Sequence, residues 1–316
     1  MKKRYIVILA LLIVVGPVLA RQLFPPEPRQ YSGVTLDQVQ YTEVTFRNDA
    51  AGLDLAGMLF VPDGEGPFPA AVIIHGSGTS NRQNRWYLTL TKHLQDNGIA
   101  VLLPDKRGSE QSSGDWRSAD FEQLATDTLA AVDFMHSQEI VPLSAIGVIG
   151  MSQGGWIAPI VARETDDLAF VVSMVGSTVT PKEQLLFEED HNIRQMGFLP
   201  GVSYGIALIS TQHIRRVRMP EFYDAVGDYD PIPLWSKMDV PALAIFGRDD
   251  TNVPSERSAA RLEALGRDSL QIIMFDGSGH AVQDPAGRGD SLIRKEALDA
   301  IARHVTESTA GTGAYN

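Results

Sequence analysis

Ser152 stands at the centre of Gly150-Met151-Ser152-Gln153-Gly154, immediately after the apolar run Ile146-Gly147-Val148-Ile149. A serine hydroxyl is a weak nucleophile. It attacks a carbonyl only when a base takes its proton, a carboxylate orients that base, and fixed N–H donors receive the oxyanion. Candidates for the first two roles lie further along the chain: Asp249 and Asp250 after the run Ala242–Phe246, and His280 after Leu270–Phe275. The order Ser, Asp, His suits a serine placed on a sharp strand-to-helix turn. Glycines at 150 and 154 suit that turn, which leaves no room for side chains beside a strained serine. It also leaves the Gln153 N–H free at a helix start. The pentapeptide alone is equally compatible with a plain glycine-rich turn, so its partners decide.

Those residues can meet only if the elements carrying them share one edge of a sheet. Ala70–Ile74, Ile99–Leu103, Ala145–Ile149, Ala169–Val175, Ala242–Phe246 and Leu270–Phe275 are short, almost wholly apolar runs. Amphipathic stretches separate many of them: Asn84–Asn97, Phe121–Ser137, Ile157–Arg163 and Ser255–Leu265, with Leu292–Val305 closing the chain. That alternation predicts a parallel sheet covered by helices on both faces. In such sheets, sites form at the carboxyl ends of the strands, where Ser152, Asp249, Asp250 and His280 all fall. Two earlier β-rich runs, Gln38–Arg47 and Leu53–Val61, flank the turn formers Asn48-Asp49-Ala50-Ala51-Gly52 and predict an antiparallel hairpin. The rhythm breaks over residues 177–240, which carry five prolines and the helical pieces Lys182–Met196 and Gly205–Arg218. An insertion of that length between sheet strands predicts a cap over the site.

Composition narrows the chemistry. At 316 residues with 44% hydrophobic content, the chain can build one large α/β domain or two small ones. It has no cysteine, which excludes disulfides, thiolate metal sites and a cysteine nucleophile. Its net charge of −12 disfavours nucleic acid as a partner. Lys2, Lys3 and Arg4, the apolar Ile6–Val15, then Gly16-Pro17 and Val18-Leu19-Ala20 have the pattern of an export signal over residues 1–20. Its apolar run is short beside the roughly 20 residues of a spanning helix. Export to the periplasm or beyond is therefore expected, with membrane contact only if this segment stays uncleaved. Residues 21–35, with Pro25, Pro26 and Pro28, predict an extended linker. The hydrolytic domain is expected over 36–306, and a flexible tail over 307–316.

Five stretches carry a family resemblance: His75-Gly76-Ser77-Gly78, Asp105-Lys106-Arg107-Gly108, Ser152-Gln153-Gly154-Gly155, Gly247-Arg248-Asp249-Asp250-Thr251-Asn252-Val253-Pro254 and Gly277-Ser278-Gly279-His280. Together the sequence resembles the α/β-hydrolase superfamily, in particular its bacterial serine esterase and aminopeptidase-like branch. The resemblance implies the α/β-hydrolase fold with a helical cap insertion. It implies Ser152 as nucleophile, His280 as base and Asp250, rather than Asp249, as the acid. It places the oxyanion hole at the backbone N–H groups of Ser77 and Gln153. The implied reaction is hydrolysis of carboxylic esters through an acyl-enzyme, on small-molecule ester or short acyl or peptidyl substrates, with no cofactor. The same triad could serve an aminopeptidase or acyl-peptide hydrolase, and the fold could also serve a non-catalytic binding protein.

The remaining candidates have plainer readings. His75 is expected to shape the oxyanion loop through a local hydrogen bond. His93 and His136 fall within predicted helices and His304 near the end of one, where solvated or packed positions are expected, while His191 and His213 lie in the cap and could touch a substrate. No His-Glu-x-x-His spacing occurs, so no metal is expected. Asp105, Lys106 and Arg107 are expected to tie their loop by ion pairs. Arg215, Arg216 and Arg218 read as a solvated helix face or a carboxylate-binding group. Trp116, Trp156, Phe222, Tyr223 and Trp235 could line an acyl pocket or pack in the core.

Overall fold

A computed structural model of the chain describes residues 16, 19–23, 31–284 and 291–310. The first strands form a hairpin, β1 (Thr42–Asn48) paired antiparallel with β2 (Leu53–Phe60). The β-rich run was expected to begin at Gln38, but Leu36–Gln38 instead makes a 3₁₀ turn closed by Thr35 and Gln38. Strands β3 (Phe68–Ile74), β4 (Ala100–Pro104), β5 (Leu143–Met151), β6 (Leu168–Met174), β7 (Ala242–Gly247) and β8 (Leu270–Phe275) complete one eight-stranded sheet. Its order is β1-β2-β4-β3-β5-β6-β7-β8, with β2–β4 antiparallel and β3 to β8 parallel. Because β3 sits between β4 and β5, the chain changes winding direction there. The carboxyl ends of β3 and β5 therefore border one crevice.

Helices cover both faces. Helix α1 (Arg85–Asp96) and the closing α9 (Lys295–Thr309) pack on one core cluster, containing Phe60, Leu88, Leu94, Val101, Phe170 and Ile301. Helices α2 (Phe121–Ser137), α3 (Gly154–Glu164) and α8 (Ser255–Glu263) pack on the other, around Phe121, Val148, Trp156, Ile160, Trp235 and Leu262. Strand interiors from β3 to β7 are almost completely buried, as continuous apolar runs demand. The last β-strand, an edge, is only half-buried.

The closing helix differs from expectation at both ends. Leu292 lies in a bend, its N–H bonded to Ser32 O at 2.8 Å, and the helix begins only at Lys295. It then continues to Thr309, past the expected end at Val305, with the Thr306 and Thr309 hydroxyls bonded back to the Ala302 and Val305 carbonyls. The N-terminal expectations fall largely outside the described residues. Of the segment 1–20 only Gly16, Leu19 and Ala20 are described. Arg21–Leu23 are helical rather than extended, and the linker's prolines, from residue 25 on, lie outside the described residues. No helix among the described residues is long and apolar enough to cross a membrane.

Between β6 and β7 the chain builds the cap from α4 (Pro181–Gln195), α5 (Pro200–His213), a π-helical turn (Ile214–Arg218), α6 (Pro220–Val226) and α7 (Ile232–Trp235). Prolines at 181, 200 and 220 do not break these helices; they start them, where a missing N–H costs nothing. Helix α5 therefore begins five residues earlier than the sequence pattern suggested.

Candidate active site

Strand β5 ends at Met151, and α3 begins at Gly154. The turn between them forces Ser152 to φ = 54°, a left-handed conformation that side-chain-bearing residues rarely adopt. Its N–H is tied to Met174 O at 2.9 Å on the neighbouring strand. The flanking glycines are required by packing. A Cβ on Gly150 would lie 2.3 Å from Gly154 O, one on Gly154 2.3 Å from Ile74 O, and one on Gly155 2.4 Å from Gly176 Cα. Only bare backbone lets the helix start this close to β3 and β6, and that closeness lifts the Ser152 side chain off the sheet.

His280 Nε2 lies 3.0 Å from Ser152 Oγ, and its Nδ1 lies 2.7 Å from Asp250 Oδ2. A carboxylate can only accept, so Nδ1 carries the proton and Nε2 accepts from the serine hydroxyl. The Asp250 side chain is fully buried. Its other oxygen accepts from the Asn252 and Val253 N–H groups at 2.7 and 3.0 Å. Asp249, the neighbouring candidate, is exposed, with its N–H bonded to Ser278 O. The loops after β7 and β8 approach closely because Gly247 lacks a side chain: a Cβ there would lie 2.3 Å from Gly279 O.

The Ser77 and Gln153 N–H groups engage no acceptor among the described residues, and their loops are held from behind. Gly76 N–H donates to Tyr87 Oη at 2.8 Å, and Lys106 Nζ donates to Gly76 O at 2.8 Å and Gln153 Oε1 at 2.7 Å. Lys106 is buried beneath the Trp116 ring, its Nζ 5.3 Å from the centroid. Burial pushes its ammonium down to about 7, partly offset by Asp127. His75 donates from Nε2 to Pro104 O at 2.6 Å and packs against Tyr87, so its hydrogen bond is not local but ties the loop after β3 to the end of β4. Burial, with the Lys106 charge adding, pushes it down to about 4. Burial likewise pushes the Tyr87 phenol up to about 12.

Sequence reasoning missed these supports. Lys106 was read with its neighbours as an ion-pairing residue, and Asp105 and Arg107 do pair, with Arg82 and Asp127. Lys106 does not. Its position directly after a buried strand was the available signal. Trp86, with its ring 5.8 Å from His280 and its Nε1 on Ala281 O, carried no signal at all.

The cap meets the site through α4. Glu188 accepts from Asn252 Nδ2 at 3.1 Å, so the cap is joined to the loop that holds Asp250. A cavity of about 580 Å³ opens there, lined by Phe187, His191, Arg248, Asp249, Thr251 and Arg257 among others. A slightly larger one, about 610 Å³, lies around Leu168, Val240 and Pro241, at the opposite strand ends. It is remote from the chemistry. His191 rests on Phe187 O, while His213 is exposed on the outer cap. Of the aromatic residues considered for an acyl pocket, Trp156, Tyr223 and Trp235 are buried. Trp156 stacks on Phe121, and Trp116 and Phe222 pack against the core from partly buried positions. No group of three or more His, Asp or Glu among the described residues is arranged to hold a metal.

Residues 129–287, half of the chain, match the family described as BAAT / acyl-CoA thioester hydrolase C terminal, and residues 55–197 match the dienelactone hydrolase family. The chain belongs to the first of these, within the α/β-hydrolase superfamily. This α/β-hydrolase is 25% identical to esterase EstD of Thermotoga maritima over 79% of its own length and 65% of that protein's. It is also 25% identical to acyl-coenzyme A thioesterase 3 of Mus musculus, over 72% of its length and 50% of the relative's. The chain thus spans less than two thirds of these relatives. In fold it is similar to an esterase of Pyrococcus furiosus, with TM-score 0.65 at 18% identity, covering 89% of this chain and 97% of the other.

Proposed function

We propose that this α/β-hydrolase is an exported serine esterase. The reading rests above all on His280 bridging Asp250 and Ser152 at 2.7 and 3.0 Å. Ser152 Oγ attacks the ester carbonyl as its proton passes to His280 Nε2, and Asp250 steadies the imidazolium. The oxyanion forms against the Ser77 and Gln153 N–H groups, which face no competing acceptor. His280 returns the proton to the leaving alcohol, and water, deprotonated by the same His280, then releases the acid. Export rests on the N-terminal charge and apolar pattern.

A second reading, hydrolysis of acyl thioesters by the same triad, is favoured by the family match over residues 129–287. The experiment compares nitrophenyl esters of increasing chain length, acyl-CoA thioesters and aminoacyl nitroanilides on wild type and Ser152→Ala. Ester turnover lost in Ser152→Ala supports the esterase reading; dominant thioester turnover replaces it with the second. Dominant nitroanilide turnover would make the chain a peptidase. Absence of both turnover and fluorophosphonate labelling in folded wild type would remove all three.

A further inference from the structure

Helix α5 is built inside out. Its buried stripe is Ser203, Ala207 and Thr211, small or polar residues at successive turns. Its large apolar side chains face outward: Tyr204 is 48%, Leu208 44% and Ile209 74% exposed. Leu199 before the helix and Val217 and Met219 after it are exposed as well. Soluble helices normally show the opposite pattern, and large apolar side chains exposed together along one short stretch mark an interaction surface.

Charge identifies what covers it. From Met196 to Pro220 there is no Asp or Glu, in a chain that holds 39 of them, yet this stretch carries Arg215, Arg216 and Arg218. Elsewhere exposed arginines such as Arg47, Arg163 and Arg248 are paired with carboxylates. Arg216 and Arg218 are exposed and make no ion pair among the described residues. Apolar side chains flanked by unpaired arginines match an anionic lipid surface, where the chains enter the interface and the guanidinium groups meet headgroup phosphates. A second copy fits poorly. A two-fold contact would set this arginine cluster against itself with no acid in the patch to answer it.

The N-terminal region points the same way. Arg21 Nε donates to Gln195 O at 3.2 Å, at the cap's edge, and Leu19 and Leu23 beside it are exposed. The apolar run Ile6–Val15 ends six residues before Arg21 in sequence.

We propose that the outer face of the cap, formed by α5 and the following arginine turn, docks on an anionic lipid surface and sets the mouth of the site beside it. Contact with the membrane then does not depend on retention of residues 1–20.

The test measures co-sedimentation of the full chain with phosphatidylcholine vesicles, with and without phosphatidylglycerol. Wild type and Ser152→Ala are expected to bind the anionic vesicles equally, and high salt to weaken both. The pair Arg216→Gln/Arg218→Gln is expected to weaken anionic-vesicle binding about thirtyfold. The pair Leu208→Glu/Ile209→Glu is expected to weaken it at least as much. These are exposed positions, and an unchanged melting midpoint verifies the fold. Variants that bind as tightly as wild type overturn the proposal, since the N-terminal run would then account for all binding. Wild type that binds no vesicle also overturns it. So does a wild-type dimer in sedimentation velocity that Leu208→Glu dissolves, which would assign the face to a second copy.

Discussion

Lys106 and Ser77 share one peptide unit without touching. The Lys106 ammonium donates to the Gly76 carbonyl at 2.8 Å, and that carbonyl belongs to the same peptide plane as the Ser77 N–H. In a trans peptide the two groups point in opposite directions. A charge holding the carbonyl therefore aims the N–H the other way and makes it a stronger donor. The same ammonium holds the side chain of Gln153, so one buried cation braces both expected oxyanion donors.

Replacing Lys106 with Met should lower kcat about tenfold or more with little change in KM, because a misaimed oxyanion donor loses part of the roughly 2.7–4 kcal/mol such a donor contributes. With its ammonium pushed down to about 7, Lys106 loses its charge as pH rises through that value. Wild-type kcat should thus carry an alkaline decline that Lys106→Met lacks. Identical pH profiles for the two proteins would refute the role.

Asp250→Asn should reduce kcat about 10⁴-fold while leaving the fold intact, since an amide in that place can hold the wrong imidazole tautomer. Asp249→Asn should remain near wild type, because that side chain faces solvent. Steady-state kinetics on the two neighbours decides which carboxylate serves His280.

Two glycine substitutions should act with opposite sign. Gly154→Ala drives a Cβ to 2.3 Å from Ile74 O and should destabilise the protein by about 1–3 kcal/mol or prevent folding. Gly205→Ala, in the middle of α5, meets nothing within 4 Å and should stabilise by about 0.5–1 kcal/mol. Thermal melts read both.

His75 should make the protein acid-sensitive. Its ring is held down at about 4, against 6.5 in the unfolded chain, so the unfolded state binds more protons between those values. Stability therefore falls as pH drops from 6.5 to 4, by about 3 kcal/mol from this residue. His304 and His93, also lowered by burial, add to the same slope. Urea titrations across that range should show a shallower slope in His75→Asn.

Much of this was legible in sequence because it depends on local order. Continuous apolar runs report strands buried on both faces, and the Gly-x-Ser-x-Gly spacing reports a turn whose tolerances are set within five residues. Ser152, the pair Asp249 and Asp250, and His280 stood out because each falls just beyond the carboxyl end of such a strand, while the choice of Asp250 over Asp249 came from the family resemblance. The cap could be located, since its prolines break the strand-helix rhythm, but the first turn of α5 was missed because Pro200 starts a helix as readily as it ends one.

The sequence by itself determined the strands, the turn at Ser152 and the chemical kinds of the site residues, because periodicity and glycine spacing are short-range properties. Tertiary structure alone decided which buried groups meet. Lys106 lies 30 positions from Gly76 and 47 from Gln153, and only the placing of β4 beside β3 brings its ammonium behind both. It alone, too, decided that α5 turns its small residues inward, because which face of a helix is covered depends on the neighbours it packs against.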